Sequence, residues 1–178
     1  MVLRSLCVGV LSTFVLAESA LALSCMRPDL SKTMEEAKAS DVTYSILVGT
    51  FATPPTSQMP QENIRPEDQF KPRPPVITPA KFTGYALTSD ATTDAPLSEF
   101  PVDIETSCIG PWCSSPPSSE TDAIVFVEMR ENQSPVLKIS PCPQWVFPLQ
   151  SSLKQVKMLR SCFDKTCVAD EQLERLYR

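Results

Sequence analysis

The chain contains no histidine. That absence removes the Ser-His-Asp and Cys-His nucleophile pairs, the usual general base near neutral pH and the commonest metal-ligating side chain. Glycine is scarce too, with four residues in 178. Apart from Gly9, the three that remain (Gly49, Gly84 and Gly110) lie too far apart to form a phosphate-cradling loop. Positive charge is not in excess: 16 Lys and Arg stand against 21 Asp and Glu, a net charge of −5. Phosphate neutralisation dominates nucleic-acid affinity, so an acidic chain without a basic stripe is not expected to bind nucleic acid. No apolar run reaches the roughly 20 residues of a membrane helix, so an integral membrane protein is not expected either. Neither an enzyme, nor a metal site, nor a cofactor is anticipated.

The most apolar stretch opens the chain. Arg4 precedes the 13 residues Ser5 to Ala17, and Ala20-Leu21-Ala22 then offers the small side chains that signal peptidase accepts. Residues 1–22 are expected to be a cleaved signal peptide and residues 23–178 one exported domain, periplasmic or secreted. Cleavage removes Arg4 and Glu18 together, so the net charge stays −5. The rival route lipidates Cys25, but its recognition pattern is reversed: Ala22 stands where Leu is usual and Leu23 where a small residue is. A soluble product is therefore expected in preference to a lipoprotein anchored at Cys25.

What the chain does have is cysteine and proline. Cys7 leaves with the signal peptide, and Cys25, Cys108, Cys113, Cys142, Cys162 and Cys167 remain. An even number in an exported chain signals disulfides, although six cysteines admit many pairings and spacing only ranks them. Cys108/Cys113 and Cys162/Cys167 are each close enough to staple a turn, which leaves Cys25 with Cys142 as a long-range bridge. Neither close pair has the C-x-x-C spacing of a redox motif, and none of the spacings suits a thiolate zinc site. Eight of the 18 prolines fall within residues 52–79. Proline fits neither a helix interior nor a sheet ladder, so this segment is expected to be an extended, solvated insertion.

Around that insertion the pattern is mainly β. Strands are expected over Val42–Phe51, Lys81–Leu87, Phe100–Thr106, Asp122–Met129 and Pro135–Ser140, the last two joined by a hairpin through Glu131–Ser134. Gly84 suggests a bulge or a close backbone approach. A short helix over Lys32–Ser40 is expected to start on a capping box, with Thr33 as cap and Glu36 reaching back. In the C-terminal segment 151–178, Leu153, Val156, Leu159 and Phe163 are spaced for a helix over Ser152–Phe163, with Lys154, Lys157 and Arg160 on the solvated face. A second short helix is expected over Asp170–Tyr177.

The order of these pieces resembles the netrin-like/TIMP-like domain, particularly its bacterial exported relatives. The features that carry it run from residue 25 to residue 142. They are a cysteine soon after the signal, a short helix, a strand ending in Gly49-Thr50, the Phe82-Thr83-Gly84 strand, and Cys108-Ile109-Gly110-Pro111-Trp112-Cys113 before the apolar Ile124–Val127 and Cys142. The resemblance implies a small OB-like five-stranded barrel with short flanking helices, stapled by disulfides. It implies also that residues 52–79 occupy one of the loops that frame the binding face of such barrels. The inhibitors of that family chelate a protease zinc with a free N-terminal cysteine. Only Cys25 fits that part, cleavage after Ala22 leaves two residues ahead of it, and Arg27 stands where their second cysteine would be.

The expected function is non-catalytic binding of a protein or another envelope component. Trp112, Trp145, Pro72, Pro74 and Pro75 are the candidate binding surface, with the alternative for each tryptophan that it packs on a neighbouring disulfide. Two other functions stay open, a TIMP-like protease inhibitor and a carboxylate hydrolase. The hydrolase would use Asp103 and Glu105, which share a strand face, in a deep acidic cleft.

Overall fold

A computed structural model describes residues 25–26, 28–52, 71, 73–119, 121–149 and 152–167. The expected signal peptide, most of the Pro-rich insertion and the expected helix over 170–177 lie outside these residues. Among them, no helix is long and apolar enough to cross a membrane.

Helix α1 spans Leu30–Ala39 and begins earlier than the sequence suggests. Its cap is Asp29, whose carboxylate accepts from Lys32 N at 3.1 Å. Thr33 does not cap. Its side chain is buried, and its hydroxyl donates instead to Gln144 O at 3.0 Å. The capping-box reading fails because Leu30 and Met34, one turn apart, draw the helix start inward with the core.

The strands are β1 Tyr44–Ala52, β2 Val76–Ala86, β3 Ala95–Thr106, β4 Cys108–Ile109, β5 Trp112–Cys113, β6 Ala123–Glu128, β7 Val136–Ile139 and β8 Val146–Pro148; helix α2 spans Ser152–Cys162. β1 pairs antiparallel with both β2 and β6, β2 with β3, and β3 runs parallel to β7, which meets β6. The circuit β1-β2-β3-β7-β6 is a closed five-stranded barrel, consistent with an OB-like fold. β8 lies along the first half of β6. The registers define two rims. At the upper rim β1, β3 and β7 end and β2 begins; at the lower rim β1 begins, β6 ends and the helices pack.

β6 explains the densest apolar run in the sequence. Its alternate side chains bury on opposite faces: Val125 and Val127 in the barrel interior with Leu47, Phe51, Phe82, Ile104 and Leu137, and Ile124 and Phe126 outside it with Leu30, Met34, Leu159 and Phe147. The barrel therefore has an interior core and a second core between its wall and the two helices.

Two elements extend further than their residues suggest. The insertion's last four residues, Val76–Pro79, already belong to β2. Pro79 is tolerated because its partner Asp103 sends its N–H the other way, to Pro135 O at 2.9 Å. The pair is thus one that exchanges no hydrogen bonds, and Pro79 turns its missing donor toward the side where β1 has already ended. β3 starts at Ala95 rather than Phe100 and crosses a bulge opposite Phe82 and Gly84, where Glu99 takes a φ of 50°. In α2, Met158, Leu159 and Cys162 are buried, with Val156 and, just past the helix, Phe163 packed half-buried beside them. Arg160 is not on the solvated face; it pairs with Asp94.

Three disulfides close the structure: Cys25–Cys142, 117 residues apart in sequence, Cys108–Cys113 and Cys162–Cys167. They fit an oxidising compartment.

Candidate functional site

At the upper rim the chain leaves β3 and folds at once into the β4–β5 hairpin, with Ile109 opposite Trp112 and Cys108 opposite Cys113. Gly110 makes the turn at a φ of 58°, a conformation that costs least without a β-carbon. The disulfide closes the hairpin at its base. Behind it sits buried Ser114, whose hydroxyl donates to Ile139 O at 2.7 Å and accepts from Ser107 N at 3.1 Å, so the hairpin is fastened to the ends of β3 and β7.

The returning end of the Pro-rich insertion is tied to the same place. Arg73 donates from Nη2 to Gly110 O, and Thr106 donates its hydroxyl to Val76 O at 3.2 Å. The Nε of Arg73 is buried without a hydrogen-bond partner. Pro74, Pro75 and Ile77 are thereby brought to the rim that carries Ile109, Pro111 and Trp112. Ile77 is 59% exposed and Ile109 46%, Pro74, Pro75 and Pro111 are exposed, and Trp112 is half-buried. Residues 107–119 contain no charged side chain. Depletion of charge together with exposed aromatic and apolar groups marks the centres of protein interfaces.

Pro72 lies outside the described residues, and Trp145 lies away from this rim. The Trp145 ring stacks on Tyr44 at 4.7 Å and 11° and tilts against Phe126 at 6.0 Å, while its carbonyl accepts from Phe126 N. It belongs to the packing between barrel and helices. The two tryptophans singled out from the sequence are thus not brought together.

Asp103 and Glu105 do share the outer face of β3, both half-buried, opposite Pro79 and Ile77. Neither lines either of the two hollows at the lower rim. One hollow, of about 420 Å³, lies beside Cys25–Cys142 and is lined by Met26, Asp29, Lys32, Thr33, Glu36 and Gln144. The other, of about 380 Å³, is lined by Met34, Lys38, Val42, Tyr44, Leu87 and Phe163. Its one cation has no donor to spare. Lys38 Nζ donates to Cys162 O at 3.0 Å, to Lys165 O at 2.8 Å and to Glu35 Oε1 at 3.4 Å. Glu35 Oε1 also accepts from Cys167 N at 2.8 Å, and that backbone bond first, with Lys38, holds the carboxyl below its ordinary value. Among the described residues, no group of three or more His, Cys, Asp or Glu could hold a metal ion.

Sequence reasoning missed Arg73, Ile77, Ile109 and Ser114 at the upper rim. A β-branched pair at Val76-Ile77 beyond the last double proline was the available signal for the strand. Nothing local marks Ser114 or Arg73, whose partners are 25 and 37 residues away.

Comparison of the chain with protein-family models, with curated proteins and with solved structures gave no match. The class that the fold defines is a disulfide-stapled five-stranded β-barrel with two flanking helices.

Proposed function

We propose that the protein is an exported, non-catalytic interaction module of the netrin-like/TIMP-like kind, which binds a protein or another component of the cell envelope through its upper rim. The observation that carries this reading is the clamp of Arg73 on Gly110 O, which joins the insertion's return to a disulfide-closed, charge-free hairpin. A surface held by a disulfide, a buried serine and an arginine loses little conformational entropy on binding. The strand order, the parallel β3–β7 pair and the long-range Cys25–Cys142 bridge support the resemblance in fold. The complete lack of histidine supports a non-catalytic role.

The test is capture from cells by crosslinking to the exported protein, comparing wild type with Ile109→Asp and with a chain in which residues 53–70 are replaced by a short Gly-Ser linker. The partner is expected to be lost from both variants while their melting temperatures stay near that of wild type. If every partner held by wild type stays bound to both, the reading fails.

A second reading rests on a different observation. Cys25 is bridged at the surface beside Met26, which is 85% exposed, so a chain starting at Cys25 would present its amine to a protease zinc. The intact mass of the exported protein decides it, because a Leu23 start removes the chelating amine.

A further inference from the structure

The barrel is not closed equally all the way round. β1 aligns with β2 from Leu47 to Ala52 and with β6 from Tyr44 to Gly49, β2 with β3 along nearly their whole lengths, and β3 with β7 from Asp103 to Thr106. Between β6 and β7 a single pair is aligned among the described residues, Glu128 with Val136. The rest of that edge of β6 is taken by β8 and by Phe126 N donating to Trp145 O. Since N–H groups alternate along a strand, Glu128, two residues on, faces the same side and meets Val136.

At this one pair lies a buried carboxylate. The Glu128 side chain is 8% exposed, and Lys138, Arg130 and Tyr44 converge on it. Lys138 of β7 reaches Oε1 at 2.7 Å, Arg130, just past β6, reaches Oε2 at 3.1 Å, and Tyr44 of β1 directs its hydroxyl to Oε1 at 3.4 Å. Thr43 O accepts from Met129 N beside it at 2.8 Å. A seam with one ladder pair is weak in backbone hydrogen bonds, and a half-buried ion cluster is what replaces them.

We infer that Glu128 is an ionic lock on the β6–β7 seam, and that the barrel opens locally there, before it unfolds, when the carboxylate is neutralised. Burial pushes the Glu128 carboxyl up, but hydrogen bonds and charges from Lys138 and Arg130 outweigh it and hold the group below its ordinary value. A carboxyl depressed by folding adds stability that is fully present above the ordinary value and is withdrawn as pH falls through the depressed one. The lock is therefore shut at neutral pH and released in acid. Opening would free the backbone of Glu128 and Val136, at the end of β6 and the start of β7, while β8 stays on the first half of β6.

The experiment is amide exchange resolved by residue, expressed as protection factors so that the intrinsic effect of pH is divided out. Wild type is expected to lose about tenfold or more of the protection of Glu128 and Val136 between about pH 7 and about pH 3.5, while Leu47 and Phe51 in the β1–β2 wall keep theirs. Glu128→Gln is expected to show the low seam protection already at neutral pH and to change little in acid. If Glu128→Gln does not fold, Lys138→Met keeps the stem, removes one cation and is expected to shift the wild-type transition to higher pH. The inference is overturned if seam and wall amides lose protection together, or if either variant keeps the wild-type pH profile.

Discussion

Gly49 and Gly84 face each other across β1 and β2 so closely that a β-carbon on either would lie 2.1 Å from a carbonyl oxygen of the opposite strand. Both take φ values near 155°, which L side chains rarely adopt. The atoms in the way are backbone, so no rotamer relieves the clash. Gly84→Ala and Gly49→Ala are each expected to cost about 2–4 kcal/mol, from strain and lost pairing. Urea unfolding of the single variants checks it; a cost below that of an ordinary surface substitution would contradict the close approach.

Asp94 and Arg160 form a two-pronged ion pair between the β2–β3 turn and α2, with Nη1 to Oδ1 at 2.8 Å, a second contact from Nη2 to Oδ2, and Nη1 also donating to Thr88 O at 3.0 Å. The arginine holds the Asp94 carboxyl below its ordinary value of 3.8. Its stabilising effect is therefore complete above that value and lost as pH falls below it. Asp94→Asn is expected to lower stability by on the order of 1–2 kcal/mol at neutral pH and to narrow the gap from wild type in strong acid. Thermal unfolding across a pH series reads both.

The bridge Cys25–Cys142 joins residues 117 apart in sequence. In the loop-entropy model the double Cys→Ser variant is expected to lose about 4–5 kcal/mol, against about 2–3 for the same change at Cys108 and Cys113. Denaturant titration of the two variants ranks them. The hairpin variant is expected to differ in kind as well, losing partner capture more than stability.

Ser114 hides a function behind a small side chain. Ser114→Ala removes the hydroxyl that donates to Ile139 O and accepts from Ser107 N, while the direct bond from Ser107 N to Ile139 O at 3.0 Å stays. A cost of about 1 kcal/mol follows for the lost side-chain hydrogen bonds, and partner capture is expected to weaken because the hairpin is held less firmly. Ser115→Ala, one residue further along and exposed, serves as the control and is expected to change neither.

Much of the fold was legible because its causes are local. The alternation of Val102, Asp103, Ile104 and Glu105 gave β3, the continuous apolar run Ile124–Val127 gave β6, and Gly84 gave the bulge. Two equally spaced cysteine pairs ranked the disulfides in the order observed. The errors have non-local causes. Thr33 looked like a cap until Gln144, 111 residues on, claimed its hydroxyl. Pro79 looked like a strand breaker because the side it faces depends on where β1 stops. Arg160 sat in a row of basic residues on a helix and was read with them, since only the folded turn brings Asp94 to it. The upper rim was legible in part: Trp112, Pro74 and Pro75 stand out in the sequence, while Arg73 and Ser114, which hold the rim together, do not.

Lys38 and Glu35 grip the loop after α2 by its main chain: the carbonyls of Cys162 and Lys165 and the N–H of Cys167. Main-chain groups are the same whatever side chains they carry, so this latch does not read Asp164, Lys165 or Thr166 by identity. Sequence is free to drift there over evolutionary time while insertion or deletion is not, and the feature to look for in any descendant of this chain is the unvarying length between its last two cysteines.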